Sequence, residues 1–104
     1  MNKKAQAYEA IRAAITALEE ELNNRNIPEM GPKSRLQLEE MLRMLRLMEK
    51  KLRGEEKIDQ TDIYGYGFGR VITDSWPDPG DTLGKLLLNA EQVYVQTMRN
   101  TLPR

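Results

Sequence analysis

Apolar side chains recur along the first part of the chain at helical spacing. Tyr8, Ile11, Ile15, Leu18 and Leu22 follow one another at steps of 3, 4, 3 and 4, which places them on one face of a helix over residues 3–23. Asn23-Asn24-Arg25-Asn26 weakens that helix, and Pro28, Gly31 and Pro32 stop it. Leu38, Met41, Leu45, Met48 and Leu52 repeat the same steps and predict a second helix over 34–53. Ser34 suits its N-cap, with Gln37 three residues on as in a capping box, and Gly54 suits its end. Leu83, Leu86, Leu87, Ala90, Tyr94 and Thr97 line a third helix over 79–100. Asp78-Pro79 reads as its cap and first position, with Asp81 or Thr82 as alternative caps one turn later, and Pro103 ends the pattern.

Residues 54–78 connect the second and third helices, and their centre is unlike the rest. Tyr64-Gly65-Tyr66-Gly67-Phe68-Gly69 alternates aromatic residues with glycine, and Val71-Ile72-Thr73 favours strand. Two readings stand: a short β-hairpin turning near Gly67, or an ordered loop packed on the helices. If extended, the segment puts Tyr64, Tyr66 and Phe68 on one side. The expected fold is mainly α, a single domain over 1–104: a long helical hairpin plus a C-terminal helix.

Composition narrows the chemistry. In 104 residues, 39% of side chains are apolar, enough for one modest core. With no Cys there is no disulfide framework, thiol catalysis or cysteine-ligated metal, and with no His the commonest general base and transition-metal ligand is missing. The Met1-Asn2-Lys3-Lys4 start leads into residues interrupted by Gln6, Glu9 and Arg12, unlike an export signal, and no run reaches a membrane span. A cytoplasmic protein without cofactor or metal, and with no membrane partner, is the expectation.

Charge is balanced overall but not along the chain. Residues 1–53 carry net +3, residues 54–80 net −4 and residues 81–104 net +1. The first helix runs from Lys3 and Lys4 to Glu19-Glu20-Glu21, and the second from Glu39 and Glu40 to Lys50, Lys51 and Arg53. Folded as an antiparallel hairpin, they bring like charges together at both ends. Two hairpins, or a swap through the roughly ten-residue link at 24–33, would cancel the mismatch. Apolar residues also lie off the main stripes: Leu36, Met44 and Leu47 on the second helix, and Ala7, Ala10, Ala14 and Ala17 on the first. A helix apolar on two faces is buried on two faces, so a homodimer is expected.

Candidate sites follow from these features. Gly65, Gly67 and Gly69 give backbone amides access to an anion, but the G-x-x-G spacing and βαβ setting of a dinucleotide fingerprint are missing. Acidic surroundings argue against RNA, so nucleic acid is not an expected partner. Tyr64, Tyr66, Phe68, Arg70 and Trp76 are the residues for a ligand or partner loop, with Arg70 as polar anchor, or else they cover the core. Met41, Met44, Leu47 and Met48 are the residues for a helix interface, methionine being adaptable at binding surfaces, or else they fill gaps. The adjacent acidic residues diverge around their helices and do not converge on an ion, and Ser34 and Ser75 suit caps and turns. The expected function is that of a small, non-catalytic interaction or adaptor protein of bacterial or phage type, binding itself and another protein. The alternative is a small-ligand binder using the Tyr64–Arg70 loop against the helices.

Overall fold

The computed structural model describes residues 2–24 and 26–101. Among them it contains five helices and no strand: α1 (Lys3–Leu22), α2 (Arg35–Leu52), α3 (Gln60–Tyr64), α4 (Phe68–Ser75) and α5 (Thr82–Thr101). The three long helices sit within a few residues of their predicted spans. Pro103, expected to end the last one, lies outside the described residues.

Local signals set the helix ends. Asn2 caps α1 through a bond from the Lys4 amide. Ser34 caps α2, accepting from the Gln37 amide at 3.2 Å. The return arm of the expected capping box reaches one residue further out, where Gln37 Oε1 accepts from the Lys33 amide at 2.8 Å. Beyond α2, Gly54 adopts φ +80, and the Gly54 and Glu55 amides donate to the Lys51 and Lys50 carbonyls, a Schellman ending. The last helix begins at Thr82 and not at Pro79. Asp81 is its cap, accepting from the Gly84 amide at 2.7 Å, while 78–81 form a turn.

The β-hairpin considered for the connection is not formed. Asp59 and Asp62 make a reciprocal capping box that starts a helix at Gln60. Phe68, Ile72 and Trp76, four residues apart, then give α4 a single buried face. Gly65 (φ +108) and Gly67 (φ +85) are left-handed and separate α3 from α4. Tyr64, Tyr66 and Phe68 therefore share no face: Tyr64 is 77% exposed, Tyr66 half-buried and Phe68 buried.

Direction follows from the cross-contacts. Arg12 bonds Glu49, and Tyr8 accepts from Arg53, so α2 runs antiparallel to α1. Thr97 meets the Lys3 carbonyl, so α5 also runs antiparallel to α1. The α3–α4 segment returns along α5 from the end of α2 to its start. The result is a four-sided antiparallel bundle, 44 × 23 × 23 Å, whose fourth side is a broken helix.

Two features used to argue for a dimer are absorbed within the chain. α1 packs on both α2 and α5, which gives its two apolar faces separate covers; Ala7 and Ala14 are fully buried beside Ile11, Ile15 and Leu18. The like-charge mismatch is relieved by Arg46 reaching Glu19 at 3.1 Å and by Lys51 turning away from α1 toward the acidic connection.

Gly84 tests the junction before α5. A Cβ there would stand 2.5 Å from the Pro79 carbonyl oxygen. Alanine normally stabilises a helix interior by about 1 kcal/mol over glycine. Here the sign should reverse: Gly84→Ala is expected to lower stability by about 1–3 kcal/mol, read by urea denaturation, because turn 78–81 must shift.

Candidate functional site

Two carboxylates organise the face on which the aromatic segment lies. The first is Asp62, fully buried in α3. One of its oxygens accepts from Lys51 Nζ at 2.8 Å and from the Asp59 amide at 2.7 Å. The other accepts from the Tyr94 hydroxyl at 2.8 Å and from the Tyr66 hydroxyl. A carboxylate offers about four acceptor positions, and here each has a donor. The Tyr66 and Tyr94 rings meet edge to face, 6.1 Å apart. α2, α3, the glycine segment and α5 are thereby tied to one charge.

Titration behaviour follows from this enclosure. Burial alone would raise the Asp62 pKa, but the bonds from Lys51, Tyr66, Asp59 and Tyr94 outweigh it and hold the carboxyl below its ordinary value. Burial would lower the Lys51 pKa, and bonding to Asp62 together with the field of Tyr66 carries it above its ordinary value. Tyr66 is pushed up to about 12, by burial and then by its bond to Asp62, and Tyr94 is pushed up for the same reasons.

The second carboxylate is Glu91 of α5. It accepts from the amides of Tyr66 (2.7 Å), Phe68 (3.1 Å) and Gly69 (3.3 Å). The left-handed glycines 65 and 67 turn these amides toward one point at the start of α4, where Gly67 has no side chain to cap the helix. The glycine spacing does make an anion cradle, and the chain's own glutamate fills it.

Between α2 and the α4 segment the bundle is not closed. A groove of about 470 Å3 lies there, lined by Leu36, Met41, Met44, Tyr66, Phe68 and Val71, with Gly31, Ser34, Gln37, Glu40 and Gly67 at its margins. Gln37 at its margin is held by Trp76, which is 4% exposed and donates its indole N–H to Gln37 Oε1 at 2.7 Å. Lys33 lies 5.5 Å over the indole ring and pairs with Asp81 at 2.6 Å. One glutamine thus joins the start of α2 to the end of α4.

The residues singled out from sequence divide among these settings. Tyr66 and Phe68 line the groove, as do Met41 and Met44. Met48 is fully buried in the core, and Met41 shows only its edge. Leu47 is half-buried on the outward side of α2, away from the groove. Tyr64, Arg70 and Trp76 are outside the groove lining, the first two exposed and Trp76 buried and bonded to Gln37 at the groove margin. Sequence reading passed over Asp62, Lys51, Tyr94, Glu91 and Gln37's second bond. Asp59-x-x-Asp62 carried a capping signal of its own, and Glu91 stands next to buried Ala90 on an otherwise apolar helix face.

Among the described residues no cluster of three acidic side chains could hold a metal ion, and no helix is long and apolar enough to cross a membrane. No protein-family model, curated protein or solved structure matches the chain.

Two predictions come from the carboxylates. Lys51→Met leaves Asp62 buried and uncompensated and should cost about 3–5 kcal/mol of stability in chemical denaturation. Native Asp62 has its pKa lowered, so its contribution is present above about pH 4 and is lost as pH falls through the folded value. Tyr66 has its pKa raised, so its contribution is present below about pH 10 and is lost as pH climbs toward 12. A stability–pH profile should fall at both edges; Tyr66→Phe should soften the alkaline edge and, by removing one donor to Asp62, also move the acid edge to higher pH.

Proposed function

We propose that the protein is a non-catalytic interaction protein that takes apolar side chains of a partner protein into the groove between α2 and α4, and that it works as a homodimer. The observation that carries the reading is the groove's lining: Leu36, Met41, Met44, Phe68 and Val71 form a nearly continuous apolar wall on an unclosed side of the bundle. An apolar concavity with few polar groups is what a partner's hydrophobic anchors require. Methionines at its centre suit a surface that adapts to its occupant. The two carboxylate-centred clusters supply the stiffness that such a wall needs, since Tyr66 and Phe68 are held from behind by Asp62 and Glu91.

A second reading keeps the groove and changes the occupant. Its volume, about 470 Å3, lies in the range of small-molecule sites, and the Gln37 and Ser34 side chains stand at its margin to orient a polar group. In that case Tyr66, and not Arg70, is the loop residue that would matter.

Photo-cross-linking in the cell separates these. With a photoreactive residue in place of Met44, the expected product is a discrete protein adduct whose mass is not twice that of the monomer. Val71→Asp, on the opposite wall, should abolish it while circular dichroism stays unchanged. Absence of any protein adduct, together with a small-molecule-dependent rise in melting temperature that Tyr66→Ala removes, would replace the partner by a ligand.

A further inference from the structure

The outward side of α2 carries an ordered alternation that the bundle itself does not use. Leu36, Glu40, Arg43 and Leu47 follow at steps of 4, 3 and 4 and fall within about 60° of one another around the helix. They lie opposite the Leu38–Leu52 core stripe. Leu36 is 65% exposed and Leu47 half-buried. Between them the Glu40 and Arg43 side chains, 49% and 63% exposed, pair with each other on the surface. The ridge has an apolar residue at each end and one charge of each sign inside.

That order is self-complementary in only one direction. When two copies of the ridge lie antiparallel about a two-fold axis, each Leu36 meets Leu47 of the partner subunit and each Glu40 meets Arg43 of the partner subunit. Both ion pairs are exchanged for equivalent ones, so no charge is left buried alone. On the flank, Glu39 falls beside the partner's Arg46. A parallel arrangement would set Glu40 against Glu40 and Arg43 against Arg43. The flanking surface is hollowed, with a depression of about 470 Å3 bordered by Glu39, Leu42, Arg43 and Arg46, which gives the partner's side chains room to seat.

We infer that α2 is a homodimer interface in which a second copy of this chain packs antiparallel on the Leu36–Leu47 ridge. The inference gives a surface and a register to the dimer in the proposed function and rests on that part of the reading; the ridge shares Leu36 and Glu40 with the α2 margin of the groove. The ridge is about 18 Å long, short for a standard protein interface, so the dimer belongs to the weak, micromolar class.

Charge reversal tests it. Glu40→Arg and Arg43→Glu each set two like-charge contacts across the axis and should weaken dimerisation at least about tenfold in sedimentation equilibrium. Mixed in equal amounts, the two variants should recover a 1:1 heterodimer, since each supplies the charges that the other lacks. Because the chain has no cysteine, register is readable as well. Oxidising an equimolar mixture of Leu36→Cys and Leu47→Cys should favour the mixed disulfide over either homodisulfide. A wild-type monomer up to about 100 μM overturns the inference. So does a dimer indifferent to both charge reversals, a mixture that does not recover, or homodisulfides in excess. Leu36 and Glu40 also border the groove, so the two readings are separated by variants that touch one surface each: Val71→Asp, on the α4 side, should leave the dimer intact, and Arg43→Glu, outside the groove lining, should weaken the dimer while leaving groove cross-linking in place.

Discussion

A carboxylate cut off from water needs donors on every side, and the position of Asp62 makes that requirement organise the fold. Its four partners come from the end of α2, the turn into α3, the glycine segment and the middle of α5. None of these segments packs on all the others through apolar contact alone. The charge gathers them, with each of its acceptor positions met by a donor. Replacing such a cluster with apolar groups of the same shape can be neutral or even stabilising, so its contribution is better understood as selecting one geometry than as adding strength. What is selected is the stance of Tyr66, whose ring has one edge on Tyr94 and one side on the groove.

Glu91 has a complementary role. A helix that starts from a left-handed glycine has no side chain of its own to receive its first amides, and α4 borrows one from α5. The borrowed carboxylate holds α4 against α5, and α2 is held against α1 by its core stripe and the Arg12 and Arg46 pairs. Each wall of the groove is anchored to a different neighbour. The Gln37–Trp76 bond, with Lys33 over the same indole, ties them at the near end, and Lys51 with Asp62 does so at the far end. The opening between α2 and α4 is thus a consequence of where the strong contacts are, and the side chains that line it lie at the edge of the core.

Periodicity made the three long helices readable, because each buries a stripe broad enough to leave a 3.6-residue signature. Gly54, Ser34 and Asp81 were readable as ends for the same kind of local reason. The connection was not. A five-residue helix is too short to show a period, and the glycines between α3 and α4 resemble strand punctuation as closely as they resemble a helix break. The signal was present in Phe68, Ile72 and Trp76 at steps of four, but Val71-Ile72-Thr73 spoke louder. Asp62, Lys51 and Glu91 were hidden for another reason. Charged residues are counted as surface until their partners are known, and although Asp59 and Tyr66 are close to Asp62 in sequence, Lys51 and Tyr94 lie 11 and 32 residues from it, and the amides that Glu91 receives lie 22 to 25 residues away. The groove was half legible: Tyr66, Phe68, Met41 and Met44 were singled out, while their meeting depended on the return path of the connection.

Thr97 lies against the Lys3 carbonyl where the first helix meets the last. α1 can pair with α2 as soon as both exist, but the face bearing Ala7 and Ala14 has no cover until α5 is in place. Contacts of that sequence separation are slow to close, and they tend to form late. On a ribosome, the hairpin of α1 and α2 emerges well before its third wall, with a strip of small apolar residues facing water. The order of synthesis thus sets an interval in which the nascent chain is half a bundle, and α5 ends it by docking along the helix that was made first.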